Sequence, residues 1–344
     1  MEFSDRPALL MAPDKFRGTA TAAEVAGVVA SVASRLGWRA TGLPLSDGGE
    51  GLLEAFGGAN RTTVVTGPME RPVEARWRLD GTVAVIESAE ASGLLLAGGA
   101  QGNDAERATS RGTGELVVAA LEAGAREILV GLGGSACSDG GRGALAALAA
   151  HAGPDPLLGG ATVTVCADVE TRYLDAARVY GPQKGATPDQ VGRLADRLAA
   201  TRADLVRRFG RDPQEVPGSG AAGGVGGALA VAGARVVSGF DHVADRLGLD
   251  DRLARADLVL TGEGRLDASS FDGKVVGGVI RRAQARGRRV AVVVGDRDPA
   301  VAAPVPVHAL SEEHGRRAAL EETLRCLAAT TERVLAAYGP VRTG

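Results

Sequence analysis

Two carboxylates separated by glycines are the first candidate for chemistry. Asp47 and Glu50 flank Gly48 and Gly49, directly after a β-like run at residues 39–45. Open α/β sheets place ligands at the carboxyl ends of their strands. Because Mg²⁺ prefers one or two carboxylates together with phosphate oxygens and water, the pair predicts a metal site. A solvated acidic turn is the alternative.

A glycine-rich loop at 131–141 is the second candidate. It follows a predicted strand and precedes a predicted helix at 143–150. Successive glycines let main-chain N–H groups converge on an anion at a helix N-terminus. The chain has no G-x-x-x-x-G-K-[ST] motif, so bound phosphate needs other loops. The residues predicted to cradle it are Gly133, Gly134, Ser135 and Asp139; a tight turn is the alternative.

A third segment, residues 261–267, combines acid, base and glycine after another β-like run. Gly262 and Glu263 lead to Asp267, and Lys274 follows shortly afterwards. A lysine beside glycine reaches phosphates as a point charge, and Glu263 or Asp267 could ligate metal or orient a nucleophile. A surface salt-bridge loop is an equally good interpretation.

Two further segments place polar groups at loop edges. Asp168 follows the predicted strand 161–167, and Gln183 and Lys184 lie in the turn 181–185 before a helix that begins after Thr187. Either segment could be surface only. The four histidines are isolated and show no metal-ligand spacing.

Residues 218–223 match the dinucleotide fingerprint G-x-G-x-x-G, so a dehydrogenase has to be considered. The fingerprint needs a strand directly before it. Residues 209–217 are polar and contain proline, which argues against that strand. A glycine-rich helix start packed against a neighbour is the favoured interpretation.

Composition excludes several classes of protein. A net charge of −3 without clusters of Lys and Arg argues against a nucleic-acid partner. The three scattered cysteines indicate a reducing cytoplasm, and no long apolar run predicts a membrane span. Aromatic residues are only 3%, so an adenine base is expected to lie against aliphatic side chains.

Alternation of β-like runs with helical patterns predicts an α/β fold. Two N-terminal and three C-terminal strands are expected to form a doubly wound five-stranded parallel sheet. The middle of the chain, with an antiparallel patch at 62–86, is expected to be an inserted α/β domain. The predicted domains are 1–57 with 236–344, and 58–235. At 344 residues the chain is long enough for two cores.

Seven ordered motifs resemble those of the bacterial glycerate kinases, across nearly the whole chain. They are residues 12–18, 46–51, 109–116, 133–141, 181–185, 217–224 and 261–267. The resemblance implies a flavodoxin-like domain carrying a second domain. It also implies phosphorylation of D-glycerate by ATP with Mg²⁺, commonly at the 2-hydroxyl, in the cleft between domains. The oligomeric state is left open as monomer or homodimer.

The resemblance also suggests roles for the candidates. Asp47 and Glu50 are assigned to metal or the substrate hydroxyl, Lys184 and Lys274 to phosphates, and Asp168 and Asp267 to the hydroxyl or Mg²⁺. Phosphoryl transfer needs positioning and charge neutralisation above all. The opening motif adds Asp14, Lys15 and Arg17 as binding residues.

Departures from the family pattern keep alternatives open. Lys15 and Arg17 replace Ser and Lys, Ser138 replaces Asn, Val275-Val276 replaces Thr-Pro, and residues 169–174 form an altered, shorter loop. A kinase of another small hydroxy acid, and a non-catalytic nucleotide- or ligand-binding paralogue, are the rival interpretations.

Overall fold

The computed structural model describes residues 6–152 and 158–339. Its internal contacts divide the chain into two compact units. The first unit combines the N-terminal segment up to Asp47 with the C-terminal segment from Phe240, and the second unit is Gly48–Gly239. The predicted domain limits, after residues 57 and 235, remain predictions.

The strands, in chain order, are β1 (Ala8–Met11), β2 (Arg39–Gly42), β3 (Arg61–Thr66), β4 (Pro72–Asp80), β5 (Val83–Glu87), β6 (Glu127–Gly131), β7 (Thr162–Ala167), β8 (Arg235–Ser238), β9 (Leu258–Thr261), β10 (Arg265–Leu266), β11 (Arg289–Val294), β12 (Asp296–Arg297) and β13 (Val307–Ala309).

The helices are α1 (Ala22–Arg35), α2 (Leu52–Ala55), α3 (Ala89–Ser92), α4 (Gly99–Gly102), α5 (Arg111–Glu122), α6 (Arg142–Ala152), α7 (Ala176–Tyr180), α8 (Pro188–Phe209), α9 (Ala221–Val231), α10 (Gly239–Arg246), α11 (Leu249–Ala254), α12 (Val275–Gln284), α13 (Leu310–His314), α14 (Arg316–Glu321) and α15 (Thr323–Tyr338).

The first unit is built on a five-stranded sheet in the order β13-β11-β9-β1-β2, with every pair parallel. Numbered along the chain, these five strands have the order 2-1-3-4-5, which is the flavodoxin-like arrangement. The predicted doubly wound sheet is therefore confirmed. A small parallel pair, β10 with β12, lies beside it in the same unit.

Helices cover this sheet because three of its strands, β1, β9 and β11, are largely apolar and buried. Leu9 and Leu260 pack with Val25 of α1 and Leu327 of α15 in one buried cluster. The helix α12 packs against β9 and β11. A capping box starts α1, since Thr21 Oγ1 accepts from the N–H of Glu24 at 3.2 Å and the Glu24 carboxylate accepts from the N–H of Thr21.

The second unit contains a six-stranded sheet in the order β3-β4-β5-β6-β7-β8. The pairs β3–β4 and β4–β5 are antiparallel, which confirms the predicted antiparallel patch. The remaining neighbours are parallel. The strand β8 was not predicted from the sequence, because four half-exposed residues give too short a pattern. The predicted limit after residue 235 falls inside this strand.

No helix among the described residues is long and apolar enough to span a bilayer.

Candidate active site

The loops after β1 and β9 are joined at the carboxyl edge of the five-stranded sheet. The N–H of Asp14 donates to the carbonyl of Gly262 at 2.9 Å. The hydroxyl of Thr261 donates to the carbonyl of Ala12 at 2.7 Å. The opening motif and the third candidate segment, which are distant in sequence, therefore lie side by side in the first unit.

Asp14 is a buried carboxylate beside a lysine. Its Oδ1 accepts from the main-chain N–H of Lys15 at 2.7 Å and lies 3.6 Å from Lys15 Nζ. Burial raises the pKa of Asp14 to about 6; the Lys15 charge opposes this shift and the nearby Asp47 carboxylate adds to it. Asp47 is itself 8% exposed. Asp14 and Asp47 are thus neighbouring carboxylates in the first unit.

Glu263 is a second carboxylate in this region with an altered pKa. Burial raises the pKa of Glu263 to about 7; a hydrogen bond with Ser270 and the Lys274 charge oppose this, and Asp14 and Asp267 add to it. Its Oε1 is buried and has no hydrogen-bond partner among the described residues. A carboxylate with a pKa near neutrality is suited to accept a proton from a hydroxyl.

Asp267 is engaged in a local cap. Its Oδ1 accepts from the N–H of Ser269 at 2.8 Å and from the Ser269 hydroxyl at 2.6 Å, and these bonds hold the pKa of Asp267 below its ordinary value. Lys274 Nζ donates to the same hydroxyl at 2.9 Å. Asp267 and Lys274 therefore share Ser269 near Glu263.

The remaining first-unit candidates lie around the same loops. Lys15 is half-buried and Arg17 is exposed. Gly264 allows the two loops to touch, because a Cβ at this position would lie 2.8 Å from the main-chain nitrogen of Arg17. The structure thus brings together the first-unit candidates Asp14, Lys15, Arg17, Asp47, Gly262, Glu263, Asp267 and Lys274 on neighbouring loops.

In the second unit, the acidic turn lies against the glycine-rich loop. A Cβ on Gly133 would lie 2.7 Å from Cα of Gly49, and a Cβ on Gly48 would lie 2.6 Å from Cβ of Cys166. Only glycines permit this approach. Glu50 is exposed beside the contact. The 48–50 turn therefore packs against the carboxyl ends of β6 and β7.

Glu87 anchors this turn and was not singled out from the sequence. Its Oε1 accepts from the N–H of Gly51 at 3.0 Å and from the N–H of Leu53 at 2.7 Å. These N–H groups begin α2 and have no partner within that helix. The position of Glu87, as the last residue of β5, was the available signal.

Asp139 organises the glycine-rich loop from within. Its carboxylate accepts from the hydroxyl of Ser110 at 2.8 Å and from its N–H at 2.9 Å. It also accepts from the N–H groups of Gly141 at 3.0 Å and Gly143 at 3.1 Å. These bonds fix the entry into α6. In the same loop Gly134 is exposed, whereas Ser135 is buried.

Lys184 lies directly behind the same loop. Its ammonium donates to Ser135 Oγ at 3.0 Å and to the carbonyl of Cys137 at 2.6 Å. The side chain is buried, and this burial lowers the pKa of Lys184, with the Asp139 charge among the opposing influences. The buried cation places positive charge beneath the loop. Gln183, its neighbour, is exposed.

Asn103 links the Lys184 turn to the glycine-rich loop and was also missed. Its Nδ2 donates to the carbonyl of Lys184 at 2.8 Å and to that of Ala136 at 3.2 Å. A single asparagine in a loop carries no sequence pattern that indicates such a link.

Asp168 is exposed at the end of β7, and the loop that follows it is tied to its surroundings. The buried Tyr173 donates its hydroxyl to the carbonyl of Gly140 at 2.7 Å. Arg172 donates to the carbonyls of Gln214 and Glu215. The loops after β6 and β7 are thus held together by a tyrosine that the sequence analysis did not identify.

The G-x-G-x-x-G segment serves packing. Residues 168–234 contain no strand, so none leads into the fingerprint. The N–H of Gly140 donates to the carbonyl of Gly223 at 3.0 Å, and Gly224 faces the ring of Tyr173. Ala222, Gly223 and Gly224 have positive φ inside α9. The interpretation as a tightly packed helix start is confirmed.

No group of three or more His, Cys, Asp and Glu side chains in the described ranges is arranged to hold a metal ion. A site with fewer protein ligands suits Mg²⁺, which takes most of its oxygens from phosphate and water.

Comparison with known proteins defines the class. The Glycerate kinase family model matches residues 9–154 and 149–338. Glycerate 2-kinase of Escherichia coli is 37% identical over 323 residues, which cover 83% of this chain and 84% of that protein. Glycerate kinase of Bacillus subtilis is 36% identical over 315 residues, covering 80% and 81%.

A solved structure gives the same result. The crystal structure of a glycerate kinase 2 from Salmonella typhimurium superposes with a TM-score of 0.82 at 33% identity, and the match covers 97% of this chain and 98% of that one. The protein is a kinase that transfers phosphate to an alcohol. The chain belongs to the glycerate kinase family, and ATP is the phosphate donor that this family implies.

Proposed function

We propose that this protein phosphorylates D-glycerate with ATP and Mg²⁺ and that the product is 2-phosphoglycerate. Membership of the family is the observation that carries the proposal. Two features of the structure support it. The first unit gathers carboxylates with raised pKa values, and the second unit places the buried Lys184 ammonium behind a glycine-rich loop.

We assign the proton-accepting role to the first unit. Glu263 has a pKa raised to about 7 and one buried carboxylate oxygen without a partner, so it can take a proton from the acceptor hydroxyl near neutral pH. Asp267 and Asp168 remain alternative proton acceptors or metal ligands. Asp267 is already bonded to Ser269, which makes it the poorer base.

We assign anion binding to Gly133, Gly134, Ser135 and the cations. Glycines admit the main chain close to an anion, and Lys184 holds Ser135 from behind. Further cations proposed to bind phosphate or the substrate carboxylate are Lys274, Lys15 and Arg17. The residues proposed to line the binding sites of the substrates are Asp14, Gln183 and Gly262. Asp139 contributes by fixing the loop.

Mg²⁺ is proposed to bind Asp47 and Glu50 with phosphate oxygens, where it would neutralise phosphate charge. The residues present fit this role, since the neighbouring Gly48 and Gly49 leave no side chain in the turn. Small molecules are the proposed partners. The free buried cysteines accord with the predicted cytoplasmic location.

A kinase for another small hydroxy acid is the second candidate. The observation that favours it is the loop after Asp168, which departs from the family pattern and is held rigidly by Arg172 and Tyr173. A rigid loop next to a candidate carboxylate can restrict which acceptor fits.

The deciding experiment measures ADP release with ATP and Mg²⁺ against D-glycerate, L-glycerate, lactate and tartronate. The proposal expects the highest kcat/KM with D-glycerate. A higher value with another acid supports the second candidate. Binding of ATP without formation of ADP in the presence of any of the acids would indicate a non-catalytic paralogue.

A further inference from the structure

A groove in the first unit is lined by three arginines. Arg39 belongs to β2, Arg252 to α11, and Arg255 directly follows α11. Leu10 and Thr41, which are paired neighbours on β1 and β2, also line the groove. Its volume is about 490 Å³, within the range of small-molecule sites. The groove is therefore large enough for a small molecule and rich in positive charge.

This groove lies at the end of the sheet opposite to the candidate catalytic loops. Ala8 and Arg39 line it, are the first residues of the parallel strands β1 and β2, and pair in register. The loops that carry Asp14 and Glu263 follow the carboxyl ends of β1 and β9, where open α/β sheets place their ligands. None of the residues assigned above to acceptor, phosphate or Mg²⁺ lines the groove. A ligand bound here would occupy a separate site.

The positive charges of the groove are not neutralised by carboxylates. Arg39 and Arg255 are exposed, and their side chains form no ion pair or hydrogen bond with any residue that the structure describes. By contrast, Arg282 in the same unit pairs with three aspartates. Asp251 lines the groove but forms no ion pair with its arginines. Three guanidinium groups and one carboxylate therefore leave two positive charges in excess.

Arg252 is held in position by the main chain. Its Nη1 donates to the carbonyls of Leu247 at 3.0 Å and Gly248 at 3.4 Å. A guanidinium group has five N–H donors, so Nε and Nη2 remain for a ligand. Because this side chain is already ordered, it loses little conformational freedom when a ligand binds.

The arrangement suits a small anion with two negative charges. Guanidinium groups donate two parallel hydrogen bonds to phosphate or carboxylate oxygens. The exposed hydroxyl of Thr41 offers a further hydrogen bond. A nucleic acid would need a longer row of cations, and the net charge of the chain is −3. The excess charge and the size of the groove therefore favour a small anion.

We propose that this groove binds a small dianionic oxyanion, a phosphate monoester or a dicarboxylate, through Arg39, Arg252 and Arg255. The site goes beyond the proposed function and does not depend on it, because it uses none of the residues assigned to catalysis.

Protection of arginines from phenylglyoxal provides the first test. The wild-type protein is modified with and without inorganic phosphate or malonate at about 10 mM, enough to fill a site with a Kd of about 1 mM, and the modified peptides are identified by mass spectrometry. We expect protection of Arg39 and Arg255, and the more effective probe distinguishes phosphate from dicarboxylate. Arg235, an exposed residue of β8, is the control and should stay reactive. Equal modification of Arg39 and Arg255 with and without both probes overturns the inference.

Two variants with opposite effects on charge provide the second test. The phosphate concentration that half-protects Arg39 is expected to rise by about tenfold or more in Arg255→Gln, which loses a charged donor. It is expected to fall by about two- to fivefold in Asp251→Asn, which loses a repelling charge. An unchanged concentration in both variants contradicts the inference.

Activity separates this site from the proposed function. In phosphate-free buffer, kcat and KM of Arg255→Gln should stay within about threefold of wild type, because Arg255 is not assigned to the catalytic machinery. If Arg39 is protected but no hydroxy acid yields ADP, the anion site stands and the proposed acceptor chemistry fails.

Discussion

Individual carboxylates at the edge of the five-stranded sheet differ because of what surrounds each one. Glu263 and Asp14 are buried, and burial removes the water that would stabilise their ionised forms. Their pKa values therefore rise to about 7 and about 6. Asp267 gains hydrogen bonds from Ser269, so its pKa falls. These three acidic residues on neighbouring loops therefore differ in how readily they hold a proton.

Replacing Glu263 with glutamine is expected to stabilise the fold at high pH. The folded protein binds the Glu263 proton more tightly than the unfolded chain, whose ordinary pKa is 4.5, so wild-type stability falls as pH rises from about 4.5 to about 7. Glu263→Gln removes this loss. Urea unfolding should show a gain on the order of 1–3 kcal/mol at pH 8 and none at pH 4.

The same variant separates stability from catalysis. If Glu263 accepts the hydroxyl proton, Glu263→Gln lowers kcat by about 100-fold or more while its fold becomes more stable. A variant with wild-type kcat and wild-type stability at pH 8 would contradict both the burial effect and the proposed role.

Asp47→Asn is expected to abolish turnover without unfolding the protein. The substitution keeps the shape of the side chain but removes the charge proposed to hold Mg²⁺, so kcat should fall by at least about 100-fold. Circular dichroism and the unfolding midpoint should remain close to wild type. Asp251→Asn, at an exposed position of α11, is the control, and full activity of Asp47→Asn would refute the assignment.

Side-chain direction could not be predicted from the sequence. The pattern around residues 181–185 placed Lys184 in a turn, and the family resemblance suggested a phosphate role, but only the structure shows its ammonium bonded to Ser135 and Cys137. Burial depends on residues far away in the chain, such as Asn103. Local spacing therefore identifies which residues are candidates and leaves their partners open.

At the scale of elements, glycines allow loops to pack where side chains would collide. The start of α9 contacts the loop after β6 through Gly223 and Gly224, and Tyr173 fills the space beside them. Ala222 adopts φ of 51°, a conformation unfavourable for alanine, which shows how strongly this contact is held.

Gly223→Ala is expected to destabilise the protein by several kcal/mol. The new Cβ would overlap the carbonyl oxygen of Cys137, and the position has φ of +66°. Gly192→Ala, in the regular helix α8 with nothing within 4 Å of its Cβ, is the matched control and should stabilise by about 0.5–1 kcal/mol. Unfolding free energies from urea titration compare the two, and equal effects would contradict the packing argument.

Glycine-rich segments identified loops correctly, but a glycine pattern alone did not identify the type of cofactor. Residues 218–223 match a dinucleotide fingerprint, but the absence of a preceding strand was visible in the polar character of 209–217 and was decisive. The kink within α9 was not predictable, because three successive residues with positive φ arise from packing against residues 137–140.

At the scale of the whole molecule, the positions of most strands and the parallel character of the main sheet were predictable. The apolar runs at residues 8–12, 257–261 and 289–295 are long enough to predict buried parallel strands, and the structure pairs them as neighbours. The strand β8 was not predicted because its four half-exposed residues give too short a pattern. Sequence patterns therefore predict the long buried strands of a sheet better than a short strand at its edge.

Identification of the product by ³¹P NMR tests the central claim most directly. Phosphate on the 2-hydroxyl couples to one proton and gives a doublet, whereas phosphate on the 3-hydroxyl couples to two and gives a triplet. With D-glycerate, ATP and Mg²⁺, we expect a new phosphomonoester doublet that grows with ADP. A triplet would contradict the proposed product, and no new phosphomonoester signal would contradict glycerate kinase activity itself.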